Sequence, residues 1–199
     1  MNDDLRISVC PLSAQDYVRR IDQLVDIHLR AMDYPPETFS QRRQLWIANA
    51  RKPGFRCVVA LTHPAHSTPD PGSSRHRAVG VAYGFPGDLH SWWYREVHRG
   101  LRTAGSTPDE ADDLLSDYDE ISEVHVHPDY QGHGTGRAML DALLPHLHSP
   151  VALLSTPEVP DESNAAWSLY RAAGFGDLLR DFRFGSDPRP FGILTLPRR

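Results

Sequence analysis

Apolar residues recur along the chain with two spacings, and the switches between them mark out its elements. From Leu5 to Leu12 the alternation of Ile7 and Val9 reads as a first strand. Ser13 is a good N-cap, and Tyr17, Ile21, Leu24-Val25, Ile27-His28 and Met32 then recur at helical spacing. That spacing predicts one helix up to Tyr34, ended by Pro35-Pro36. A second helix is predicted from Glu37 to Ala50. It carries Phe39, Leu45-Trp46 and Ile47 on one side and Arg42, Arg43, Arg51 and Lys52 on the other, and Pro53-Gly54 stops it. Phe55–Leu61 and Ala78–Phe85 read as strands of a hairpin, with 62–76 as a mobile loop that has little to bury.

Trp92, Trp93, Val97 and Leu101 suggest a short amphipathic helix, broken between Gly105 and Pro108, and another short helix follows from Asp109. Val124 and Val126 are β-branched and two apart, which suits a strand, and Pro128 ends it. Met139-Leu140, Leu143-Leu144 and Leu147 form one helical stripe, with a kink or an end predicted at Pro145. Val151–Leu154 is a buried strand, Ser163–Ala173 a helix stopped by Gly174, Phe182 and Phe184 mark a penultimate strand, and Phe191–Leu196 is the last.

Composition narrows the class. At 199 residues the chain is long enough for one domain with a full core. It has no run of 18 apolar residues, so no membrane span is expected, and Met1–Asp4 lack the basic and apolar regions of a signal peptide. Cys10 and Cys57 make neither a disulfide framework nor a metal-type spacing, which fits a reducing cytoplasm. A net charge of −5 without a basic patch argues against nucleic acid as the main partner.

The chemistry concentrates between the Val124 strand and the helix after it. Gln131-Gly132-His133-Gly134-Thr135-Gly136-Arg137 is a glycine-rich turn that runs straight into the apolar stripe. A helix starting there leaves backbone N–H groups unpaired at its first turn, at the positive end of its dipole. The glycines remove the Cβ atoms that would hold a phosphate away, and Arg137 adds a cation. The pattern Gln131-x-x-Gly134-x-Gly136 directly after a Val-x-Val-x-Pro strand resembles the acetyl-CoA signature of the GNAT superfamily of N-acetyltransferases. A second block, Ala166-x-x-Leu169-Tyr170-x-x-x-Gly174-Phe175, looks like the other motif of that family. The element order also matches from about residue 5 to residue 197. The resemblance implies an α/β sandwich around a mixed sheet of about seven strands flanked by helices. It further implies a single domain over 1–199, in which the helical piece over about 86–118, before the fourth strand, is an insertion of this chain's own.

The resemblance also implies a set of roles. Main-chain groups of Val124, His125 and Val126 would bind the pantetheine arm of acetyl-CoA, and one of their N–H groups would polarise the acetyl carbonyl. Backbone from Gly132 through His133, Gly134, Thr135 and Gly136 to Arg137 would hold the pyrophosphate, after Gln131. Tyr170 would protonate the departing thiolate. The family's asparagine seven residues before that tyrosine is Ser163 here, with Asn164 adjacent as a substitute cofactor contact. An alkylammonium acceptor needs a base, since it is neutral only about once in a thousand at pH 7. Spacing from Gln131 puts Glu120 where histone-acetylating members place their glutamate; Glu123 follows closely, and His125 is a third candidate. Strand alternation sets Glu123 and His125 on one face and Glu120 on the other, unless a bulge intervenes.

His125 and His127 share a strand face and His133 is near in sequence, but zinc would want further ligands, so no metal is expected. Seven of the twelve residues Asp109–Glu120 are acidic, which reads either as a solvated face or as a wall that attracts a cationic acceptor. The expected activity is acetyl transfer from acetyl-CoA to a primary amine of a small molecule or peptide, by direct attack, in the cytoplasm. A non-catalytic acyl-CoA-binding module and a transferase of a longer acyl group stay open, as does a homodimer, an assembly common in the family.

Overall fold

The structure, a computed structural model, describes residues 5–185 and 187–198. Met1–Asp4, read above for a leader, lie outside them. Seven strands form one mixed sheet in the order β1-β2-β3-β4-β5-β7-β6. They are β1 (Leu5–Pro11), β2 (Arg56–Pro64), β3 (Arg77–Pro86), β4 (Asp119–Val126), β5 (Val151–Pro157), β6 (Gly176–Phe182) and β7 (Phe191–Pro197). β1·β2, β2·β3, β5·β7 and β6·β7 are antiparallel, and β4·β5 is parallel through Asp119↔Ala152 and Glu120↔Leu153. Among the described residues seven α-helices accompany the sheet: α1 (Ala14–Arg19), α2 (Ile21–Met32), α3 (Phe39–Asn49), α4 (Trp92–Thr103), α5 (Pro108–Leu114), α6 (Thr135–Leu143) and α7 (Ala165–Ala172). None is long and apolar enough to cross a membrane.

The chain divides into two compact units. The first runs to Phe85 and adds Ser122–Leu147. Its core gathers Tyr17, Leu24, Trp46, Val59, Leu61, Val81 and Tyr83, all fully buried. α6 lies against β1 and β2. Gly80 on β3 makes room for it, since a Cβ there would meet Met139 and the His125 carbonyl at about 3 Å. The second unit is Pro86–Ile121 with the chain from His148 onward, and Val97, Leu115, Tyr118, Leu153 and Ile193 are among its core residues.

Several boundaries depart from the sequence pattern for local reasons. The helix expected from Ser13 to Tyr34 breaks at Arg20, whose backbone leaves helical geometry (φ −95°, ψ 2°). The Arg20 guanidinium donates to the carbonyls of Pro71, Ser73 and His76 and so fastens the β2–β3 loop, which was expected to be mobile. Short-range periodicity does not record a partner fifty residues away. α2 ends at Asp33 in the left-handed region (φ 52°), ahead of the prolines. β6 precedes Phe184 instead of centring on it, and Asp181 has positive φ (50°) near its end. Pro145 does end α6, and the chain continues as a 3-10 turn over Leu144–His146.

Candidate active site

The glycine-rich turn is open. Gln131, Gly132, His133 and Gly134 are exposed, and a Cβ on Gly132 or Gly134 would meet nothing within 4 Å. Both glycines have left-handed backbone, φ 78° and 77°, which a β-branched residue adopts only at a cost. Gly134 is the N-cap of α6, and no side chain caps that end. The first intrahelical bond is Ala138 N–H to the Gly134 carbonyl, at 3.0 Å. The amides before Ala138 are therefore not spent inside the helix, and the positive end of its dipole faces outward.

The turn's side chains shape it. Gln131 Nε2 donates to the Val126 carbonyl (3.0 Å) and ties the turn to the end of β4. His133 Nδ1 lies 2.7 Å from the Gln131 carbonyl. Arg137 Nε donates to both carboxylate oxygens of Asp141 at 2.8 Å, so its charge is partly neutralised one turn along. Thr135 is buried under the turn, and Val124, His125, Val126 and Gly136 are partly buried.

β4 brings together groups that the sequence only partly paired. His125 does not meet His127. The buried His127 closes the strand, with its N–H on the Val79 carbonyl (2.8 Å) and its Nδ1 accepting the Asp129 N–H. His125 Nε2 instead hydrogen-bonds Glu123 Oε2 and lies 2.9 Å from Nδ1 of His28, on α2. His28 Nδ1 is 3.6 Å from the same Glu123 oxygen. The His28 ring is 3% exposed and sits against Trp46 and Tyr34, with ring centroids at 5.2 and 5.4 Å. Sequence reasoning placed His28 in the apolar stripe of its helix and missed its role. The signal was there, since a histidine at a position that only apolar neighbours share needs a polar partner.

Burial drives the electrostatics of this group. It lowers the His28 pKa to about 4, against the pull of Glu123, so the ring is neutral at pH 7. Burial pushes the Glu123 carboxyl upward, but His125, His28 and Arg42 outweigh it and leave the pKa below the usual carboxylate value. Tyr17 and Tyr83 are both raised by burial and remain phenols.

His28, Glu123 and His125 present three donor atoms within 4.8 Å of one another, a spacing that a metal ion could use. Two observations fit protons better. The atoms approach at hydrogen-bond distance, and among the described residues His28 Nε2 lacks the outer partner that a ligating histidine usually has.

In the second unit, Tyr170 on α7 is 7% exposed and packs edge-on against Phe175, with centroids 5.8 Å apart. Asn164 is the N-cap of that helix: its Oδ1 accepts the Trp167 N–H at 2.9 Å, so this oxygen already has a structural use. Glu120 is 8% exposed on the paired end of β4. The acidic segment is not one surface. Asp119 is 1% exposed and accepts the His148 and Ser149 N–H groups (2.7 Å each) as well as Arg198. Asp109, Glu110, Asp112, Asp113 and Asp117 remain exposed.

A family profile described as "Acetyltransferase (GNAT) domain" matches residues 89–176. The chain belongs to the GNAT family of acetyltransferases and is an acyltransferase. It is 36% identical over 205 residues to the GCN5-like protein acetyltransferase Rv2170 of Mycobacterium tuberculosis, an alignment covering 97% of this chain and 100% of that protein. The fold matches a GNAT-family structure from Desulfovibrio desulfuricans with a TM-score of 0.61 at 14% identity, over 96% of this chain and 99% of the other. It also matches yncA of Salmonella typhimurium, solved with its cofactor acetyl-CoA, with a TM-score of 0.56 at 16% identity, over 98% and 95%.

Proposed function

We propose that this acyltransferase moves the acetyl group of acetyl-CoA onto a primary amine of a protein or peptide, in the cytoplasm. The observation that carries the cosubstrate is the open, uncapped start of α6 at Gly132–Gly136. In this reading those amides, with Arg137, hold the pyrophosphate, and the Val124–Val126 backbone holds the pantetheine arm. The protein acceptor is supported by the relative along the full chain, which is described as a protein acetyltransferase.

The amine attacks the thioester carbonyl directly. A C–N bond forms, the C–S bond breaks, and one proton leaves the nitrogen while the thiolate gains one. Ionised Glu123 requires a proton on His125 Nε2, which leaves Nδ1 of that ring with the lone pair that takes the amine's proton. Glu123 then stabilises the imidazolium. Spacing alone favoured Glu120, whereas the hydrogen-bonded partners favour Glu123 with His125. Tyr170 supplies the thiolate's proton.

The test mixes the purified protein with acetyl-CoA and poly-L-lysine and follows free thiol, with acetyl-lysine read by mass spectrometry. Thiol release that depends on the polymer is expected. Failure of CoA to bind at millimolar concentration in isothermal titration would sink the reading.

A further inference from the structure

His28 has no place in the mechanism above, yet it is the most deeply buried member of the Glu123–His125–His28 group. α2 puts it there by spacing: Ile21, Leu24, Val25 and His28 form one buried stripe. A neutral imidazole carries one proton on one of two nitrogens, and its neighbours decide which. His125 Nε2 faces the Glu123 carboxylate, an acceptor, so Nε2 holds a hydrogen. Two N–H groups cannot point at each other across 2.9 Å, so His28 Nδ1 must be the bare, accepting nitrogen. The His28 proton is then on Nε2, which is buried and has no hydrogen-bond partner among the described residues. Leaving a buried donor unmet is costly. A side chain held at that cost beside a reacting group is a candidate for function.

We infer that His28 is a positioning residue: its Nδ1 lone pair shares with Glu123 the single hydrogen of His125 Nε2 in a forked bond, fixes that ring's tautomer and raises its capacity to take the amine's proton. The inference rests on the acetyl-transfer reading for its purpose, though not for its geometry. The physical step is the growth in strength of a hydrogen bond when its donor becomes charged. Once His125 is an imidazolium, Nε2–H bonds more strongly to the His28 lone pair, so the protonated form gains more than the neutral one. The other groups facing this site are Glu123 on the same strand as His125, Tyr34 just after α2, Tyr17 on α1, Arg42 on α3 and Tyr83 on β3. Burial keeps Tyr17 and Tyr83 as phenols, so neither shifts a proton in the same window.

The experiment compares wild type, His28→Phe and His28→Asn. Phe keeps the ring's bulk without an acceptor, and Asn can return an oxygen near the place of Nδ1. Thiol release from acetyl-CoA with poly-L-lysine is followed from pH 5 to 9. In His28→Phe the acid limb of kcat/KM should move to lower pH, because the imidazolium loses an acceptor. Its kcat should fall several-fold with KM for acetyl-CoA unchanged, and His28→Asn should restore most of both. A loss of rate with an unmoved acid limb would mean a structural role only and would overturn the inference.

Imidazole nitrogen NMR of the wild-type protein gives a readout independent of turnover. Protonated Nε2 and bare Nδ1 on both rings support the inference, and a proton on His28 Nδ1 overturns it. Zinc titration that moves His28 Nδ1 and His125 Nε2 to metal-bound shifts also overturns it, in favour of a metal centre. If wild type releases no thiol, the acetyl-transfer reading falls and the catalytic role of His28 falls with it, while the nitrogen spectra still decide the tautomers.

Discussion

Tyr170 and His125 have unequal burdens in the proposed chemistry. His125 works with two partners that set its protons, Glu123 and His28, and either partner can be altered with the base still in place. Tyr170 would deliver its phenolic proton to a thiolate. Tyr170→Phe keeps the ring against Phe175, whose packing does not need the hydroxyl. The expected result is a fall in kcat of about 100-fold with CoA affinity within a factor of two. Stopped-flow thiol release and isothermal titration on the same preparation read both quantities. A variant that turns over at the wild-type rate removes Tyr170 from the mechanism. His28 shows where residue-level reading stops. Its position in an apolar stripe was visible, but the histidine that it meets is 97 residues away in the chain.

At the scale of elements, the start of α6 was the most readable part of the molecule. The helix stripe, the glycines and the preceding strand are all local, and local pattern is what a sequence displays. Met139, Leu140 and Leu143 are fully buried as their spacing required, each stabilising the helix by roughly 1.5–3 kcal/mol. The proposed phosphate grip depends on backbone geometry at Gly134. Gly134→Val should strain the left-handed turn by about 1–3 kcal/mol and re-aim the first amides of the helix. CoA affinity measured by titration should drop at least tenfold, while Gly105→Ala, in an unrelated positive-φ turn, should leave it unchanged. Equal CoA affinity in Gly134→Val would separate the turn from the cofactor. Elements defined by distant partners were not readable. The break at Arg20 exists for the carbonyls of the β2–β3 loop. Asp119, counted with an acidic surface by composition, is a buried anchor for the turn into β5.

Over the whole molecule, the groups buried uncharged set how stability follows pH. His28 has an unfolded pKa of 6.5 and a folded one of about 4, so the unfolded chain binds more protons between these values. Stability is then fully present above 6.5 and is lost as pH falls toward 4, a total of about 3 kcal/mol from this ring. Glu123, lowered from 4.5, acts in the same direction further into acid. At the other end, burial raises the Cys57 thiol well above 9.0 and the Tyr83 phenol well above 10.0. The unfolded chain ionises there first, so stability is present below about 9 and falls as pH rises beyond it. The protein should therefore be most stable on a plateau between about pH 7 and 9. Guanidinium unfolding at pH 7.5 and pH 5.0 should differ by about 2 kcal/mol from His28 alone, and in His28→Phe that difference should shrink toward zero. A wild-type protein equally stable at both pH values would mean that His28 is already charged in the fold. That would also undo the proton assignment on which its catalytic role stands.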